Sequence, residues 1–565
     1  MSTNPQSDFS AQARSQILEQ LATQHFDLLV IGGGITGAGI ARDAALRGLK
    51  TALVERQDFA GGTSSRSARV IHGGVRYIES RQFDVVRQAC RERNRFAALA
   101  PHLVTAMPFT LPVYHKWRRY AKVQIGLWLY DLLGAASPKQ RRQTLTSRQL
   151  TAIEPALSQT HLVGAMRYHE QVADDARLTL TTLRSAWQQG ALALNYAEVQ
   201  DLLKNNGRVL GATIRDQRTG ATVEIQATTV VNATGPWNDA IRRLDEPDAP
   251  PTVRPNKGIH LVVSRAQLPI RHAVDFPAEG GHRTMYAVPW RHTCLVGTTD
   301  TDYHDDLDQI HAAQEEVAWI LASLNRAFPD AKLQNGDILS TFAGARPLVS
   351  NGEGKAYRAS REHQITTARS GLISIVGGKL TTHRAMAKEV IDLVATHHGN
   401  ARACVTDHTP LDAHLATATD MTTLVEQAHS AAADLQDDII QHLVTTYGSQ
   451  ALTVLALAQQ QPALGRRLAP DLPYLYAEIP YAIQHEMACT LSDLLVRRLR
   501  LLHEDKTQGL AQVDEIAQTM AHELQWSNEE CASQIAAYRQ EVALTRKFTS
   551  ERTDFLNRQH EGSHQ

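Results

Sequence analysis

The sequence is poor in cysteine and nearly free of net charge. Its 565 residues include 5 cysteines, an odd number, and no pair of them has CxxC spacing. This scatter argues against a disulfide framework, predicts no metal site and favours a reducing compartment, the cytoplasm. The formal net charge is −1, so a nucleic-acid partner is not expected and any anion site must be local.

Long apolar runs are missing as well. No window approaches the roughly 20 apolar residues that a membrane-spanning helix needs, and residues 1–24 lack the apolar core of a secretory signal. We therefore expect a chain that does not cross a bilayer but is able to lie on one. With 43% hydrophobic and 21% charged residues, the composition is that of a globular protein of two or three domains.

Secondary-structure signals divide the chain into four parts. Strand and helix patterns mix over residues 25–400, whereas strand signals vanish from about residue 405 and helical periodicity takes over. Residues 1–24 have the pattern of a short amphipathic helix or a disordered arm. We predict an N-terminal arm (1–24), an α/β region of interleaved subdomains (25–400), an all-helical C-terminal domain (405–545) and a tail (546–565).

A meander is predicted inside the α/β region. Residues 196–226 hold three short alternating stretches, separated by Asn206-Gly207 and Thr219-Gly220. Alternation broken by such turn pairs is typical of antiparallel strands. Further strands are predicted at 257–264, 284–288, 293–299 and 371–378, and a long helix near 82–99.

Residues 26–55 read as strand, glycine turn, helix and second strand. Gly32, Gly34 and Gly37 form GxGxxG: the first permits the turn, the second lets backbone amides approach a pyrophosphate, and the third allows close helix packing. The helix N-terminus points its N–H groups at the anion. Glu55 ends the second strand, where an acid holds ribose hydroxyls. Together these features predict a dinucleotide site.

The dinucleotide is predicted to be FAD rather than NAD. In the simplest NAD-binding arrangement further βα repeats follow at once, whereas here the meander intervenes. The late strand ending in Thr234 and Gly235 resembles the second FAD contact of glutathione-reductase-type flavoproteins. The turn before the next helix resembles their third contact, near the ribityl chain and the ring, and it comprises Gly378, Lys379, Leu380 and Thr381.

The stretch SSRSARVIHGGVRYIE, residues 64–79, concentrates positive charge and flexible backbone. We predict that it faces two phosphates, one from the cofactor and one from a substrate. The hydroxyl side chains suit the pyrophosphate and ribityl region, and the paired glycines let the chain pass close to the ring. The residues assigned to the cofactor here are Thr63, Ser64, Ser65, Ser67, Gly73 and Gly74.

Several phrases occur together and in order: GGGITGAG, SSRSARVIHGGVRYIE, VADDARL, VNATGPW, NKGIHLVV, GARPL and GGKLTTHR. In this the chain resembles the FAD-dependent glycerol-3-phosphate dehydrogenases, membrane-peripheral enzymes of aerobic glycerol use. The resemblance covers about residues 26–390 and continues more faintly into the helical domain. It implies a glutathione-reductase-type FAD-binding Rossmann domain with a mixed α+β substrate domain. Three positions depart from the family pattern: Arg69 replaces lysine, Glu170 aspartate and His383 tyrosine.

The resemblance implies that sn-glycerol 3-phosphate is oxidised to dihydroxyacetone phosphate, with electrons passing to a quinone. His260 is the expected base, because an imidazole of pKa about 6.5 suits that task. Arg346 and Lys379 are expected to act with it, Lys379 facing reduced flavin or substrate. The substrate's phosphate is assigned to guanidinium forks, and the substrate-binding residues implied are Arg76, Tyr77, Arg346 and Arg361. Each assignment has an alternative without a functional role. His260 could be a histidine on a strand face, the arginines could form surface salt bridges, and Lys379 could face solvent.

Residues 114–133 join a basic aromatic half to an apolar aromatic half. Such a segment suits a bilayer interface, and with the family resemblance it predicts a peripheral enzyme on the cytoplasmic face of the membrane. An ordinary packed helix is the alternative. The cluster Arg497-Arg498-Leu499-Arg500 is predicted to be a solvated helical face. The interfacial segment is defined by Trp117, Tyr120, Trp128, Tyr130, Lys116, Arg118, Arg119 and Lys122.

Three other functions stay open at this point. The nearest is a glycerol-3-phosphate oxidase that passes electrons to oxygen and makes hydrogen peroxide. An amino-acid oxidase of the same architecture is the second, although its substrate needs one carboxylate clamp rather than several cations. The third is a flavin-binding regulator without catalysis. A homodimer is left open as a partner state.

Overall fold

In the computed structural model of this chain, residues 8–115, 117–134, 140–280, 283–350, 362–411 and 418–549 are described. The strands are β1 (His25–Ile31), β2 (Thr51–Val54), β3 (Val70–Ile71), β4 (Thr105–Tyr114), β5 (Gln143–Thr146), β6 (Leu162–Val172), β7 (Leu192–Leu194), β8 (Ala197–Asn205), β9 (Arg208–Asp216), β10 (Thr222–Asn232), β11 (Val253–Ser264), β12 (Ala273–Pro277), β13 (Thr284–Trp290), β14 (Thr293–Gly297), β15 (Thr301–Asp302), β16 (Ile338–Val349), β17 (Gln364–Thr367) and β18 (Ile373–Val376). The helices are α1 (Arg14–Thr23), α2 (Ile35–Leu46), α3 (Phe83–Leu99), α4 (Trp117–Gly134), α5 (Ser147–Ile153), α6 (Asp175–Gln188), α7 (Asn238–Asp245), α8 (Gln314–Ala327), α9 (His383–His397), α10 (Ala418–Ala431), α11 (Asp437–Tyr447), α12 (Ala451–Gln460), α13 (Glu478–Glu486), α14 (Leu501–Glu504), α15 (Val513–Leu524) and α16 (Asn528–Thr545).

The first sheet has the strand order β17-β18-β10-β1-β2-β7 and is parallel from β18 to β7. Its strands are short apolar runs, as expected of parallel strands buried on both faces. Helix α2 packs against α6 and α9. The unit β1-α2-β2 confirms the predicted βαβ, and β8, β9 and β10 confirm the predicted meander.

The second sheet has ten strands, mostly antiparallel, in the order β15-β11-β14-β13-β12-β4-β6-β3, with β16 paired to β11 and β5 paired to β6. Side chains alternate between its two faces along β11. Ile259, Leu261 and Val263 pack in the cluster that includes α8, whereas Val262 packs on the opposite face. His260 shares that opposite face because it is two residues from Val262.

The helices that follow residue 418 are built into the rest of the fold. Ile479, Leu494 and Leu499 belong to the same buried cluster as strand β1. The N-terminal segment packs there as well, since Ile17 and Leu21 of α1 are fully buried. Of the two alternatives for this segment, the short helix is the one observed, while the domain bounds themselves stay a prediction.

None of the described helices is both long enough and apolar enough to cross a membrane.

Candidate active site

A cavity of about 520 Å³ lies between the two sheets. One end is formed by the β1–α2 turn and the end of β2, and the other by β11 and β16. Ligands of open α/β sheets bind at the carboxyl ends of the parallel strands, which is where this cavity begins. It therefore has room for an extended ligand that runs from one sheet to the other.

The β1–α2 turn forms a cradle that tolerates no side chain. Gly32 has φ +111°, and a Cβ there would lie 2.7 Å from the carbonyl oxygen of Ala233. A Cβ on Gly37 would lie 1.9 Å from the carbonyl oxygen of Gly32. The first turn of α2 thus sits directly on the strand, and Gly34 and Ile35 bring backbone to the cavity wall. This geometry fits the pyrophosphate of a dinucleotide.

Glu55 lies where a ribose would be held. Its carboxylate accepts the backbone N–H of Gly33 at 2.7 Å and that of Gln57 at 2.9 Å. Burial raises the pKa of Glu55, although these two donors oppose the shift. The carboxyl group also lines the cavity, and each oxygen has a further lone pair available to a ribose hydroxyl.

The segment after β2 closes one side of the cradle. Ser64 Oγ accepts the N–H of Ile35 at 2.9 Å, and Thr63 Oγ1 donates to the carbonyl of Ala345 at 2.6 Å. Thr63, Ser64 and Ser67 line the cavity, whereas Ser65 and Gly73 stand behind its wall. The turns at the ends of β10 and β18 also line it, through Thr234, Gly235, Gly378, Lys379, Leu380 and Thr381.

Three cationic side chains line the far end of the cavity. Arg346 donates to Asn256 Oδ1 at 2.7 Å and to Thr298 Oγ1 at 2.9 Å, and a carboxylate oxygen of Asp300 lies 4.0 Å from it. Lys379 Nζ lies 3.9 Å from the centroid of the Tyr77 ring. Arg76, which follows the paired glycines, lines the cavity but is exposed overall.

The third arginine expected to bind the substrate's phosphate, Arg361, lies outside the described residues.

His260 lines the same end of the cavity. Its side chain is 4% exposed, and neither ring nitrogen has a hydrogen-bond partner within the described ranges. Burial, together with the nearby guanidinium groups of Arg346 and Arg69, lowers the pKa of His260 to about 3. The imidazole is therefore neutral at physiological pH and able to accept a proton.

Aromatic side chains that sequence reasoning missed complete this end. Phe109, Tyr168 and Tyr286 line the cavity, and the hydroxyl of Tyr168 donates to Asp275 Oδ2 at 2.9 Å. Burial raises the pKa of Asp275 to about 8. Tyr168 lies just before the VADDARL phrase in the sequence, although that phrase does not include it. Phe109 and Tyr286 carry no such signal.

Another missed residue, Trp237, lies at the opposite end of the cavity. Its ring lies 4.7 Å below the guanidinium of Arg56. Both residues line the cavity beside Glu55, so they fit the adenosine half of a dinucleotide. Trp237 is the last letter of the quoted phrase VNATGPW and was therefore visible in the sequence.

Comparison with known proteins supplies the family. The sequence profile described as FAD dependent oxidoreductase matches residues 27–393, and the one described as the C-terminal domain of alpha-glycerophosphate oxidase matches residues 404–531. The glycerol-3-phosphate dehydrogenase of Mycobacterium leprae is 37% identical over 547 residues, 96% of this chain and 92% of that protein. The chain belongs to the family of FAD-dependent glycerol-3-phosphate dehydrogenases. FAD is its cofactor, and the expected family and fold class are confirmed.

Two further members of the dehydrogenase family show how far the likeness extends. The mitochondrial glycerol-3-phosphate dehydrogenase of Homo sapiens is 36% identical over 537 residues, 91% of this chain and 72% of the human protein. The X-ray structure of the glycerol-3-phosphate dehydrogenase from Bacillus halodurans, complexed with FAD, is 32% identical with a TM-score of 0.80. It covers 97% of this chain and 100% of its own, so the helical C-terminal domain belongs to the shared fold.

The three departures from the dehydrogenase family pattern occupy different places. Glu170 lines the cavity and accepts from Arg93, Tyr130 and the N–H of Gly73. His383 lies outside the cavity wall, stacked on Phe96, and burial lowers its pKa to about 4. Arg69 is buried over the ring of Trp290.

The interfacial segment predicted for this dehydrogenase is helix α4, and its two faces differ. Ile125, Trp128 and Leu132 are 69%, 53% and 64% exposed. Lys122 is exposed beside Glu79. Tyr130, predicted as an interfacial ring, is buried and donates to Glu170, so that assignment is wrong. Lys116 and the side chains of residues 117–119 lie outside the described residues.

The arginine cluster of the C-terminal domain is also not where the sequence predicted. Arg497 and Arg498 are buried against Asp58, which lies between β2 and the Thr63–Ser65 turn. Arg500 is 1% exposed and binds Asp174 and Asp175. The expectation of a solvated helical face is therefore wrong, because each guanidinium is paired with a carboxylate distant in sequence.

Proposed function

We propose that this enzyme oxidises the carbon-2 hydroxyl of sn-glycerol 3-phosphate to the ketone of dihydroxyacetone phosphate. The observation that carries the proposal is the placement of Arg76, Arg346 and Lys379 around the end of the cavity that His260 also lines. Several cations suit a phosphate that is nearly a dianion, whereas an amino-acid carboxylate needs a single clamp.

The cations bind and orient the substrate. Arg346 donates to the neutral oxygens of Asn256 and Thr298, so its guanidinium is oriented beside the cavity, with the Asp300 carboxylate at 4.0 Å. The ammonium of Lys379 lies 3.9 Å from the centroid of the Tyr77 ring, and this contact helps to fix its position. Binding energy from the phosphate, which does not react, places carbon 2 for the chemistry.

His260 takes the hydroxyl proton. A ring nitrogen of the neutral imidazole accepts the proton from the carbon-2 hydroxyl as the C–O bond becomes a carbonyl. FAD, when bound, supplies the acceptor for the hydride that leaves carbon 2. A phosphate dianion beside Arg346 offsets one of the charges that lower the pKa of His260, so substrate binding strengthens the base.

Anaerobic flavin bleaching tests the proposal. The purified holoenzyme is mixed with sn-glycerol 3-phosphate without oxygen, and loss of visible flavin absorbance is followed. We expect rapid bleaching with this substrate and none with glycine or D-alanine. Bleaching by the amino acids alone would establish the amino-acid oxidase, and no bleaching by any of the three would favour the regulator.

His260→Ala separates the base from the binding site. We expect the variant to retain FAD and to bind substrate, while flavin reduction slows by about 10²- to 10⁴-fold, the usual contribution of a positioned base. Reduction at the wild-type rate would remove His260 from its assigned role.

The second half of the proposal is that the electrons leave to a membrane quinone. Its support is the apolar strip of α4, formed by Ile125, Trp128 and Leu132 with Lys122 beside it. Such a strip suits the headgroup boundary of an anionic bilayer. Through Tyr130 and Glu170 the same helix contacts Gly73, beside the cavity. We place the enzyme peripherally on the cytoplasmic face of the membrane.

Co-sedimentation with vesicles of anionic phospholipid tests the strip. The double change Ile125→Ser and Leu132→Ser is expected to weaken binding by at least about tenfold without altering flavin bleaching. Phe83→Ser, on α3, serves as the control. Unchanged vesicle binding would remove the strip from this role. Stoichiometric hydrogen peroxide in detergent-free solution would replace the quinone by oxygen.

A further inference from the structure

Residues 497–503 of the C-terminal domain contact two segments behind the cavity wall, the Thr63–Ser67 segment and strand β16. We propose that Arg500 and His503 are positioning residues of the flavin site. Arg500 holds the Thr63–Ser67 segment of the cofactor cradle, and His503 holds the ring of His260. The first half rests on FAD binding alone, whereas the second half rests on the proposed function.

Arg500 connects the domain to the cradle by a continuous set of hydrogen bonds. Its guanidinium donates to Asp174 Oδ2 at 2.9 Å, to Asp174 Oδ1 at 2.6 Å and to Asp175 Oδ1 at 2.6 Å. Asp175 Oδ2 in turn accepts the backbone N–H of Ser67 at 2.8 Å. A fourth bond runs from Arg500 to the carbonyl of Ser65 at 3.4 Å.

Burial makes this connection stiff. Arg500 and Asp175 are nearly inaccessible to water, so neither exchanges its partner for solvent. The bonds fix Ser65 and Ser67 from behind the cavity wall. Ser64 lies between them and accepts the N–H of Ile35 at the start of α2. Without Arg500, two buried carboxylates would lose the guanidinium that is hydrogen-bonded to both of them, and the segment would have to move.

His503 reaches the other end of the cavity through an aromatic ring. Its Nδ1 lies 3.1 Å from Ser340 Oγ, and its ring meets the edge of Phe342 with centroids 5.2 Å apart at 60°. Phe342 is stacked on His260 at 4.9 Å and 16°. A Cβ on Gly297 would lie 2.4 Å from the His260 ring.

These contacts replace hydrogen bonds in setting the orientation of the base. Neither nitrogen of His260 has a partner among the residues that the structure describes, so packing alone holds the ring. The ring of Phe342 packs against the ring of His260 and also contacts the ring of His503. A misplacement of about 1 Å is enough to slow catalysis by up to 10²-fold.

The Arg500 half is tested by FAD affinity in reconstituted apoprotein, with the visible spectrum of bound flavin as a second readout. Arg500→Gln is expected to weaken FAD binding by at least about tenfold, the scale of a lost supporting contact, and to shift the spectrum. Arg184→Gln is the matched control, because Arg184 lies on α6 and donates to the hydroxyl of Tyr481 in the C-terminal domain at 2.7 Å. We expect the control to lose thermal stability while keeping its FAD affinity.

Equal FAD affinity in both variants, or equal weakening in both, would overturn this half. If Arg500→Gln does not fold, Arg500→Lys carries the test by the same criteria. The lysine keeps a cation beside Asp174 but is unable to bind both carboxylates and Ser65 together.

The His503 half is tested by the limiting rate of anaerobic flavin reduction. His503→Asn keeps a group able to bond Ser340 but removes the ring, and we expect the rate to fall about tenfold at unchanged substrate affinity. His503→Phe keeps the ring edge and is expected to restore most of the rate. A wild-type rate in the Asn variant, or no recovery in the Phe variant, would refute the ring contact. If wild-type flavin is not bleached by sn-glycerol 3-phosphate, the proposed function fails, while the Arg500 result still stands by itself.

Discussion

Two groups of arginines in this molecule differ in what surrounds them. Arg497, Arg498 and Arg500 are buried against the carboxylates of the α/β region. Arg346 instead donates to an amide oxygen, a hydroxyl and backbone carbonyls, and the Asp300 carboxylate stays 4.0 Å away. Carboxylates are hydrogen-bonded to each guanidinium of the first group, whereas the Asp300 carboxylate lies at the outer limit of an ion pair with Arg346.

The difference teaches how to separate a structural guanidinium from one that binds an anion. When a buried arginine is paired with an acid, the two charges largely cancel, so the pair attracts an anionic ligand only weakly. One that is held by neutral oxygens is oriented without being neutralised, as an electrostatic site requires. A substitution in the first group should therefore reduce stability, whereas a substitution of Arg346 should reduce activity.

The largest effect is expected on folding. Arg498→Met leaves Asp58, which is fully buried, with Arg497 alone, and we expect the free energy of unfolding to fall by about 3–5 kcal/mol. Urea unfolding followed by circular dichroism measures the loss. Arg466→Met, which removes an exposed pair with Glu515, should change it little. Similar losses of unfolding free energy in the Arg498 and Arg466 variants would contradict the assignment of Arg498 as a structural arginine.

The next effect is expected on activity alone. Arg346→Gln keeps a group that is able to bond Asn256 but removes the charge, so we expect kcat/KM for sn-glycerol 3-phosphate to fall by roughly 10²- to 10³-fold, equivalent to about 3–4 kcal/mol. The urea midpoint should stay near that of the parent enzyme. Glycerol, which lacks the phosphate, should show a much smaller loss, and an equal loss with glycerol would contradict the assignment.

The smallest effect is expected on the pH dependence of the free energy of unfolding. Burial lowers the pKa of His383 to about 4, so the unfolded state binds a proton that the folded state does not below about pH 6.5. This contribution is present above pH 6.5 and is lost as the pH falls toward 4. Between pH 7.5 and 5 it amounts to about 2 kcal/mol.

His383→Tyr, which restores the usual residue of the family, should remove that part of the decline in unfolding free energy. His304→Tyr, at an exposed position, is the control for the introduction of a tyrosine at the surface. An unchanged pH dependence in the His383 variant would mean that its burial is not what the structure shows.

The parts of the fold that could be predicted are those encoded in contiguous residues. The βαβ unit of residues 26–55 and the meander that follows Tyr196 have their pattern and their turns within a short window. Strands β4 and β16 were missed, because Pro108, Pro112 and Pro347 interrupt their alternation and proline argues against an internal strand.

The site divides in the same way. The residues of the cofactor cradle follow from glycine spacing, and His260 and Arg346 from the family phrases. The burial of Arg500 could not be predicted, since its partners Asp174 and Asp175 lie more than 300 residues earlier. No local pattern records such a pairing. Tyr286 and Phe109 were missed for the same reason, because only the sheet register brings them to the cavity.

The pairing of Asp58 with Arg498 has a consequence for how the protein is made. The two residues are separated by 440 positions, and a ribosome adds about 5–20 residues each second. Asp58 is thus synthesised roughly 20 to 90 s before its countercharge exists. Until then water is the favoured environment of that carboxylate, because an ionised acid is costly to bury without a partner. We therefore expect the buried pair to form only after the C-terminal domain has been synthesised.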